Sequence, residues 1–287
     1  MPWTLSGFAD EADENSTVQV QVIQECGFSH IDLRNLDGFN ICELPIDHAR
    51  DVRQKLDTAG VKVGMFGSPI GKIDIADDFK IDADKLRHLG ELAKVFDCHR
   101  VRIFSYFNKA DAPMPKWKAE ALDRLKKLRD LAGRLGLVLY HENEHLIYGD
   151  TLEHVQDIAA LRDGKRFRLI FDFDNYNQVG MDVWACWEAL RDRTDAFHLK
   201  DSDKDCQHVP IGQGAGRARD ILADAEARGW QGHLALEPHL MRSAAVMATG
   251  PGGQANQAFA DMTPVEAWVA AAGYAKGLLA DVGATIA

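Results

Sequence analysis

The sequence predicts an α/β fold, a single (β/α)₈ TIM barrel that forms one domain over residues 1–287. Eight short apolar runs have the composition of buried strands, and amphipathic stretches with helical spacing alternate with them. Several of the helical stretches end at a glycine, which is a common C-terminal cap. Repeated strand–helix units imply parallel strands joined by helical crossovers, and eight such units without a second pattern imply a closed barrel.

The predicted strands cover residues 4–10, 30–35, 61–67, 100–106, 137–142, 167–173, 195–201 and 233–238. The predicted helices cover residues 16–26, 46–59, 80–96, 116–135, 151–162, 182–192 and 216–228, with an eighth at about 263–281. A doubly wound open sheet is the alternative fold, and it should show a Gly-rich phosphate loop after an early strand. The nearest candidate, GQGAG at residues 212–216, comes late in the chain, so the barrel is favoured.

Residues 240–262 interrupt the alternation. This Gly/Ala-rich connection follows the last predicted strand and is longer than ordinary loops. Its position after a barrel strand is compatible with an active-site lid, and a loop without function explains its composition equally well.

Composition and net charge restrict the classes of binding partner expected for this protein. The formal net charge of -11 and the absence of a Lys/Arg stripe argue against a nucleic-acid-binding surface. The five scattered cysteines indicate reduced thiols, and the start of the chain has no secretory signal pattern. No run of about 18 apolar residues occurs, so we expect a cytoplasmic protein without a membrane partner. Apolar residues such as Trp184, Trp187 and Phe107 could form a homo-oligomer surface, although helix packing explains them as well.

The stretch LYHENEH at residues 139–145 contains the H-E-x-x-H letters of zinc metalloproteases. That motif requires a helix, because residues four apart share one helical face. Here a predicted helix has just ended at Gly136, and the stretch follows it as a short apolar run of strand type. We therefore expect Glu142 at the end of a strand, and no zinc clamp between His141 and His145.

Ionisable residues occur at the ends of four consecutive predicted strands. They are Glu142, Asp172, His198 and Glu237. Alternate residues of a strand point the same way. Glu142 therefore shares its face with Val138 and Tyr140, Asp172 with Ile170, His198 with Ala196, and Glu237 with Ala235. Active sites of such barrels lie at the C-terminal ends of the strands. Three carboxylates and an imidazole buried at one level need a cation. Oxygen-rich ligation with one nitrogen suits Mn²⁺, Mg²⁺ or Co²⁺, and ligand type does not exclude Zn²⁺.

The segments HENE, FDFDN, FHLKD and LALEPH, in this order on successive strands, resemble the sugar phosphate isomerase/epimerase superfamily. These are xylose isomerase-like barrels that include D-tagatose 3-epimerase, and the resemblance runs from GFADEAD to LEPHL, about the first 240 residues. It implies that Glu142, Asp172, His198 and Glu237 bind a divalent metal ion, with Mn²⁺ expected. It also implies that the two glutamates transfer protons. Asn175 falls where epimerases of the family often place a substrate-contacting histidine, so it is a substrate-binding candidate.

Further candidate residues surround these four. Lys200 shares the parity of His198 and could bind a substrate oxygen or a phosphate, or form a salt bridge with Asp201 or Asp203. Substrate contacts are also expected of residues near the strand ends, namely Arg34, Arg102, His145 and His239. The histidines could instead orient a carboxylate. GSPIGK at residues 67–72 could hold a phosphate, although loop-forming Gly and Pro explain it equally well.

The expected activity is a metal-dependent sugar isomerase or epimerase that removes a proton next to a carbonyl and forms an enediolate. Its partner would be a small-molecule sugar or a cyclic polyol ketone. The same groups could catalyse dehydration of a keto-inositol, dehydroshikimate or keto-sugar substrate. An endonuclease of the superfamily would carry additional histidines and a basic surface. Here strand two ends in Arg34 and Asn35, strand four ends in Ser105 and Tyr106, and the net charge is acidic. An inert sugar-sensing or structural protein is the remaining alternative.

Overall fold

The computed structural model describes residues 2–241, 246–247 and 256–287. The barrel strands are β1 (Thr4–Gly7), β2 (His30–Leu33), β3 (Lys62–Phe66), β4 (Arg100–Ile103), β5 (Val138–Glu142), β6 (Phe167–Asp172), β7 (Thr194–Leu199) and β8 (His233–Leu236). All paired neighbours are parallel, and the sheet runs from β2 in sequence to β8 and then to β1. Its two edges, β1 and β2, lie side by side, so the barrel is nearly closed. The predicted barrel is confirmed, and the open doubly wound sheet is wrong.

Helices surround the barrel. They are α1 (Ser16–Glu25), α2 (Ile46–Ala59), α3 (Lys80–Phe96), α4 (Met114–Leu135), α5 (Leu152–Ala159), α6 (Phe173–Gln178), α7 (Val183–Leu190), α8 (Ala218–Ala227) and α9 (Pro264–Asp281). The short helix α6 was not predicted. It begins directly after β6 because the Asp172 side chain caps it, accepting a hydrogen bond of 2.8 Å from the Asn175 backbone N–H. In the described part of the chain, no helix has the length and apolar character needed to cross a membrane.

Apolar side chains pack on both sides of the strands. The main core lies between the strands and the helices and includes Leu139, Phe171, Phe197 and Leu236. A smaller cluster consists of Met65, Tyr140, Ile170 and Ala196. The last three have the parity predicted for residues that face the barrel interior. The alternation read from the sequence therefore separates an outer core from an inner one.

The structure decides between alternatives that the sequence leaves open at Trp187 and at the Gly-rich turn. Trp187 is only 1% exposed, and its indole Nε1 donates to Asp224 Oδ2 at 2.8 Å, so it cannot form an oligomer surface. The Gly-rich turn at 212–216 binds an internal carboxylate. The backbone N–H groups of Gly212, Gly214 and Gly216 each donate to Asp201 at 3.0 Å. At Gly214, a Cβ atom would lie 2.3 Å from Asp201 Oδ1, which explains the glycine there.

The predicted connection at 240–262 lies largely outside the described residues, since 242–245 and 248–255 belong to it. The expectation of a lid falls on those residues. After the connection, α9 begins at Pro264 with a capping box, in which the Thr263 and Glu266 side chains each bind the other's backbone N–H.

Candidate metal centre

Four ionisable side chains meet at the C-terminal end of the barrel. Glu142 and Asp172 are the last residues of β5 and β6, His198 lies near the end of β7, and Glu237 follows β8. Their ligand atoms all lie within 4.8 Å of one another, and all four residues are buried. The parallel register produces this meeting, because it pairs Asp172 with His198 across β6 and β7. The structure thus brings together the four residues singled out in the sequence.

The three carboxylates of this cluster have incomplete hydrogen bonding. Glu142 Oε2, Asp172 Oδ2 and Glu237 Oε2 are buried and accept no hydrogen bond, although each has the nitrogen of a basic side chain 3.2–3.3 Å away: Arg102 Nη1, Lys200 Nζ and His198 Nδ1 respectively. His198 Nδ1 lies 2.9 Å from Glu142 Oε1 and 3.2 Å from Glu237 Oε2. A buried carboxylate oxygen that accepts no hydrogen bond is costly, and one divalent cation would coordinate all three oxygens. The donor set of three carboxylates and one imidazole therefore fits such an ion.

Charges around the cluster determine its protonation. Burial alone would raise the pKa of Glu237, but the Lys200 ammonium, the close contacts of the His198 and His239 imidazoles, and Arg34 together hold it well below its ordinary value. Burial likewise opposes ionisation of Glu142, and His198 and Arg102 lower its pKa.

The pKa values of the other two cluster residues, Asp172 and His198, are raised. For Asp172, burial outweighs Lys200, and its pKa lies well above the ordinary value. Burial disfavours a charged His198, but the two glutamates outweigh it and raise its pKa to about 9. Without a bound metal ion, the His198 imidazolium therefore supplies positive charge to the cluster.

Lys200 lies beside the cluster with partners other than those predicted. Its Nζ is 3.3 Å from Asp172 Oδ2 and 3.9 Å from Asp174 Oδ2. The predicted salt bridge with Asp201 or Asp203 is wrong, because the Asp201 carboxylate is bound by the Gly-rich turn. Lys200 points into the barrel, as its strand position predicts, and its ammonium group lies beside β6 and α6.

Two arginines contact the two glutamates. Arg34 Nη1 donates to Glu237 Oε1 at 2.5 Å. Arg102 Nη1 lies 3.3 Å from Glu142 Oε2, and its Nη2 donates to the Gly67 carbonyl at 3.2 Å. Both guanidinium groups are buried and have the carboxylate partners that buried arginines need. Arg34 therefore holds Glu237, whereas Arg102 holds Glu142 and also lies 3.8 Å from Glu237 Oε1. Contact of either arginine with a substrate stays a prediction.

Asn175 links several members of the centre. Its Oδ1 accepts a hydrogen bond of 3.0 Å from Lys200, and its Nδ2 donates to the Asn143 carbonyl at 2.8 Å and to Glu142 Oε1 at 3.4 Å. The amide is buried among these groups. Its role in substrate binding stays a prediction, but its position adjacent to the cluster agrees with that role.

The candidate histidines occupy different places. His239 Nε2 lies 3.3 Å from Glu237 Oε1, and its backbone has a φ of 49°, a left-handed conformation that is strained for a non-glycine residue. Burial lowers the pKa of His239 to about 4. His145 lies further out, where its Nδ1 is 2.5 Å from Glu144 Oε1.

The H-E-x-x-H letters do not describe a metal clamp. Burial lowers the pKa of His141 to about 3, and its ring packs against Gly149, where a Cβ atom would lie 2.6 Å from the His141 Cε1. Among the described residues, the groups that could hold a metal ion include neither His141 nor His145. Lys72, considered for a phosphate site, has its Nζ 2.8 Å from Glu144 Oε2.

Sequence reasoning missed an acidic pair after β1. Asp10 Oδ2 accepts from Arg34 Nε at 2.8 Å, and Glu11 Oε1 lies 3.3 Å from Arg34 Nη2. Burial raises the pKa of Glu11 to about 8. Their place directly after an apolar strand is the same signal that identified Glu142 and Glu237, and applying it to β1 would have found them.

The profile of the xylose isomerase-like TIM barrel family matches residues 20–260. The chain belongs to this family. No curated protein sequence matches it.

Several solved structures share the fold at low sequence identity, each with a TM-score well above chance. D-psicose 3-epimerase from Clostridium cellulolyticum H10, solved with D-tagatose, is 13% identical, with a TM-score of 0.70, over 96% of this chain and 99% of that chain. The probable 3-DHS dehydratase AsbF from Bacillus anthracis is 20% identical, with a TM-score of 0.66, over 83% and 92%. The IOLI protein, solved with a zinc atom, is 17% identical, with a TM-score of 0.69, over 97% of both chains. At these identities the likeness shows the fold alone.

Proposed function

We propose that this protein is a divalent-metal-dependent isomerase or epimerase of a small sugar, and that Glu142, Asp172, His198 and Glu237 hold the metal ion. One observation carries the proposal: the ligand atoms of three buried carboxylates and one imidazole lie within 4.8 Å of one another, and each carboxylate keeps one oxygen that accepts no hydrogen bond. Family membership agrees with it, as do an epimerase and a zinc-containing protein among the structures of similar fold. Mn²⁺ is the ion we propose, because oxygen ligands predominate in the cluster.

Glu142 and Glu237 are the proposed proton-transfer residues. One of them takes the proton from the carbon next to a substrate carbonyl, and the electron pair of that C–H bond moves towards the carbonyl oxygen, which gives an enediolate. A bound divalent ion would polarise the carbonyl and stabilise the developing negative charge. Return of a proton to the opposite face gives an epimer, and return to the neighbouring carbon gives an isomer.

The surrounding residues would orient this reaction. Arg34 holds Glu237, and Arg102 and Asn175 contact Glu142, so the two carboxylates are held from different sides of the barrel. The Lys200 ammonium, between Asp172 and Asn175, can donate a hydrogen bond to a substrate oxygen. All these groups are buried, and a buried site would limit the access of water to the reacting carbon.

Solvent deuterium incorporation tests the proposal. The protein is incubated in D₂O with a panel of ketoses, their phosphates and cyclic ketones, with Mn²⁺ supplied and then chelated. We expect metal-dependent uptake of deuterium beside a carbonyl, detected by mass spectrometry. Glu142→Gln and Glu237→Gln should still bind metal and lose exchange, whereas the matched control Glu188→Gln, on the exposed face of α7, should keep both. Retained exchange in both site variants would contradict the proposal.

A dehydratase is the second candidate, favoured by the AsbF structure of similar fold. The same glutamate would remove a proton beside the carbonyl, and a hydroxyl on the next carbon would leave as water after protonation. Loss of one water mass from a cyclic keto substrate would distinguish this reaction from epimerisation, which preserves mass.

We also propose a cytoplasmic location. All five cysteines are free, which supports a reducing compartment. Cell fractionation tests this proposal, and light scattering determines whether the protein is a monomer or a homo-oligomer.

A further inference from the structure

A second group of buried side chains beside the cluster has the composition of a metal site. Glu11, Glu237 and His239 present ligand atoms that all lie within 4.8 Å of one another. His239 Nε2 is buried without a hydrogen-bond partner, 3.5 Å from Glu11 Oε1 and 3.3 Å from Glu237 Oε1. Glu237 belongs to both groups, so an ion here would share a carboxylate with the first ion, as in two-metal centres.

A guanidinium group already contacts both carboxylates of this second group. Arg34 Nη1 lies 2.5 Å from Glu237 Oε1, and Arg34 Nη2 lies 3.3 Å from Glu11 Oε1. These are the same two oxygens that face His239 Nε2. The positions that would bind a second ion are therefore in contact with a permanent positive charge.

Arg34 is held in this place by residues outside the group. Its Nε and Nη2 donate to the two oxygens of Asp10 at 2.8 and 2.9 Å, and Asn35 Nδ2 donates to Asp10 at 2.8 Å. The guanidinium carbon lies 4.9 Å from the centre of the Phe8 ring. With only 3% of the residue exposed, Arg34 is fixed between the acidic pair after β1 and Glu237.

Resting on the metal-dependent function proposed above, we propose that Arg34 is the built-in cation of the Glu11, Glu237 and His239 group. It takes the place of a second metal ion and keeps the centre mononuclear, and it orients Glu237. A divalent ion on the same oxygens would lie close to a like charge and would be repelled. The planar guanidinium also donates in fixed directions, which holds Glu237 Oε1 and leaves Oε2 facing His198.

Metal stoichiometry tests this inference without an activity assay. Mn²⁺ binding is measured by titration calorimetry, and bound metal is measured by elemental analysis after gel filtration. We expect one ion per chain in the wild type, two in Arg34→Met, and one in Arg34→Met/His239→Ala, because the double variant loses a ligand of the second group. Lys62→Met is the matched control. Lys62 is an exposed cation at the start of β3, and its removal should leave one ion.

The outcomes separate this inference from the function on which it rests. A wild-type protein without bound metal would contradict the metal-dependent function itself, and this inference with it. Two ions in the wild type, or one ion in a folded Arg34→Met, would overturn the inference alone. If Arg34→Met fails to fold, the double variant Arg34→Met/Asp10→Asn replaces it, because loss of the Asp10 carboxylate removes part of the unbalanced negative charge. We again expect two ions per chain.

Arg34→Lys tests the orienting role. Lysine keeps the positive charge but cannot contact Asp10, Glu11 and Glu237 as a planar fork. We expect one ion per chain and an affinity for Mn²⁺ weakened about tenfold, as for residues that support a metal ligand. An unchanged affinity would show that charge alone matters and that Arg34 does not orient Glu237.

Discussion

Within the described residues, a buried polar cluster that combines carboxylate and imidazole groups lies towards each end of the barrel interior. The upper one is the candidate metal centre at the strand ends. The lower one joins Asp32 of β2, His233 of β8 and Ser6 of β1. Ser6 Oγ donates to Asp32 Oδ1 at 2.7 Å, and His233 Nε2 lies 2.8 Å from Asp32 Oδ2. Both oxygens of Asp32 therefore accept hydrogen bonds, whereas Asp172 Oδ2 in the upper cluster accepts none and has only the Lys200 ammonium 3.3 Å away.

This difference shows how to separate a ligand site from a structural contact when the residue types are alike. A satisfied carboxylate stabilises the fold, and a buried oxygen without a donor indicates a missing partner. The lower cluster also has no room for a ligand at β3, since a Cβ atom on Gly64 would lie 2.5 Å from Asp32 Oδ1. In barrels of this kind, the lower end serves stability and the upper end serves chemistry.

The largest expected effect is on the lower cluster. Asp32→Ala should reduce the free energy of unfolding by about 3 kcal/mol, because it leaves buried groups of Ser6 and His233 without their partner. Urea unfolding, with Mn²⁺ absent, measures this loss. Asp32→Asn keeps a polar side chain of the same shape and should lose less. A loss below about 1 kcal/mol in the alanine variant would show that the lower cluster does not stabilise the fold.

Metal binding should stabilise the protein through the upper cluster only. At a Mn²⁺ concentration of about 100 times Kd, the free energy of unfolding should rise by about 2.7 kcal/mol. The same substitution at each end sharpens the comparison: Asp172→Asn should reduce the rise, because it weakens one of the four metal ligands, and Asp32→Asn should retain it in full. Thermal unfolding with and without Mn²⁺ measures the difference. Equal responses in the two variants would contradict the assignment of the metal to the upper end.

The smallest expected effect concerns acid pH. Burial opposes ionisation of Asp32, but the charge and hydrogen bond of His233 and the hydrogen bond from Ser6 hold its pKa below the ordinary 3.8. Its carboxylate therefore stabilises the folded state above about pH 4, and this contribution is lost as the pH falls through the folded-state pKa. Asp32→Asn should lack that contribution, so its urea midpoint should fall less between pH 5 and about pH 3 than the wild-type midpoint.

For Asp172 the dependence of stability on pH has the opposite sign. Its pKa in the folded state is raised by burial, so its ionised form costs stability, and the cost appears as the pH rises above the ordinary value. Asp172→Asn without metal should therefore equal or exceed the wild type in stability near neutral pH. A destabilised Asp172→Asn under these conditions would indicate that Asp172 has a structural role like that of Asp32.

Much of the upper cluster could be predicted because strand parity is a local property. Glu142, Asp172, His198 and Glu237 each end or follow an apolar run, and parallel strands bring such residues to one level. The same logic was not applied to Asp10 and Glu11, although they also follow a strand. The Asp174 partner of Lys200 could not be predicted, because Asp174 comes within reach only when α6 starts directly after β6.

The sequence by itself determined the alternation of strands and helices, and with it the barrel and the face on which each ionisable residue lies. The order of the side chains shows directly whether apolar residues recur every two residues, as in a strand, or every 3.6 residues, as in a helix. Only the tertiary structure decided which buried charges are satisfied. Arg34 contacts Glu237 across 203 residues of chain, and His233 contacts Asp32 across 201. Such contacts depend on barrel closure and side-chain reach, and no local pattern records them.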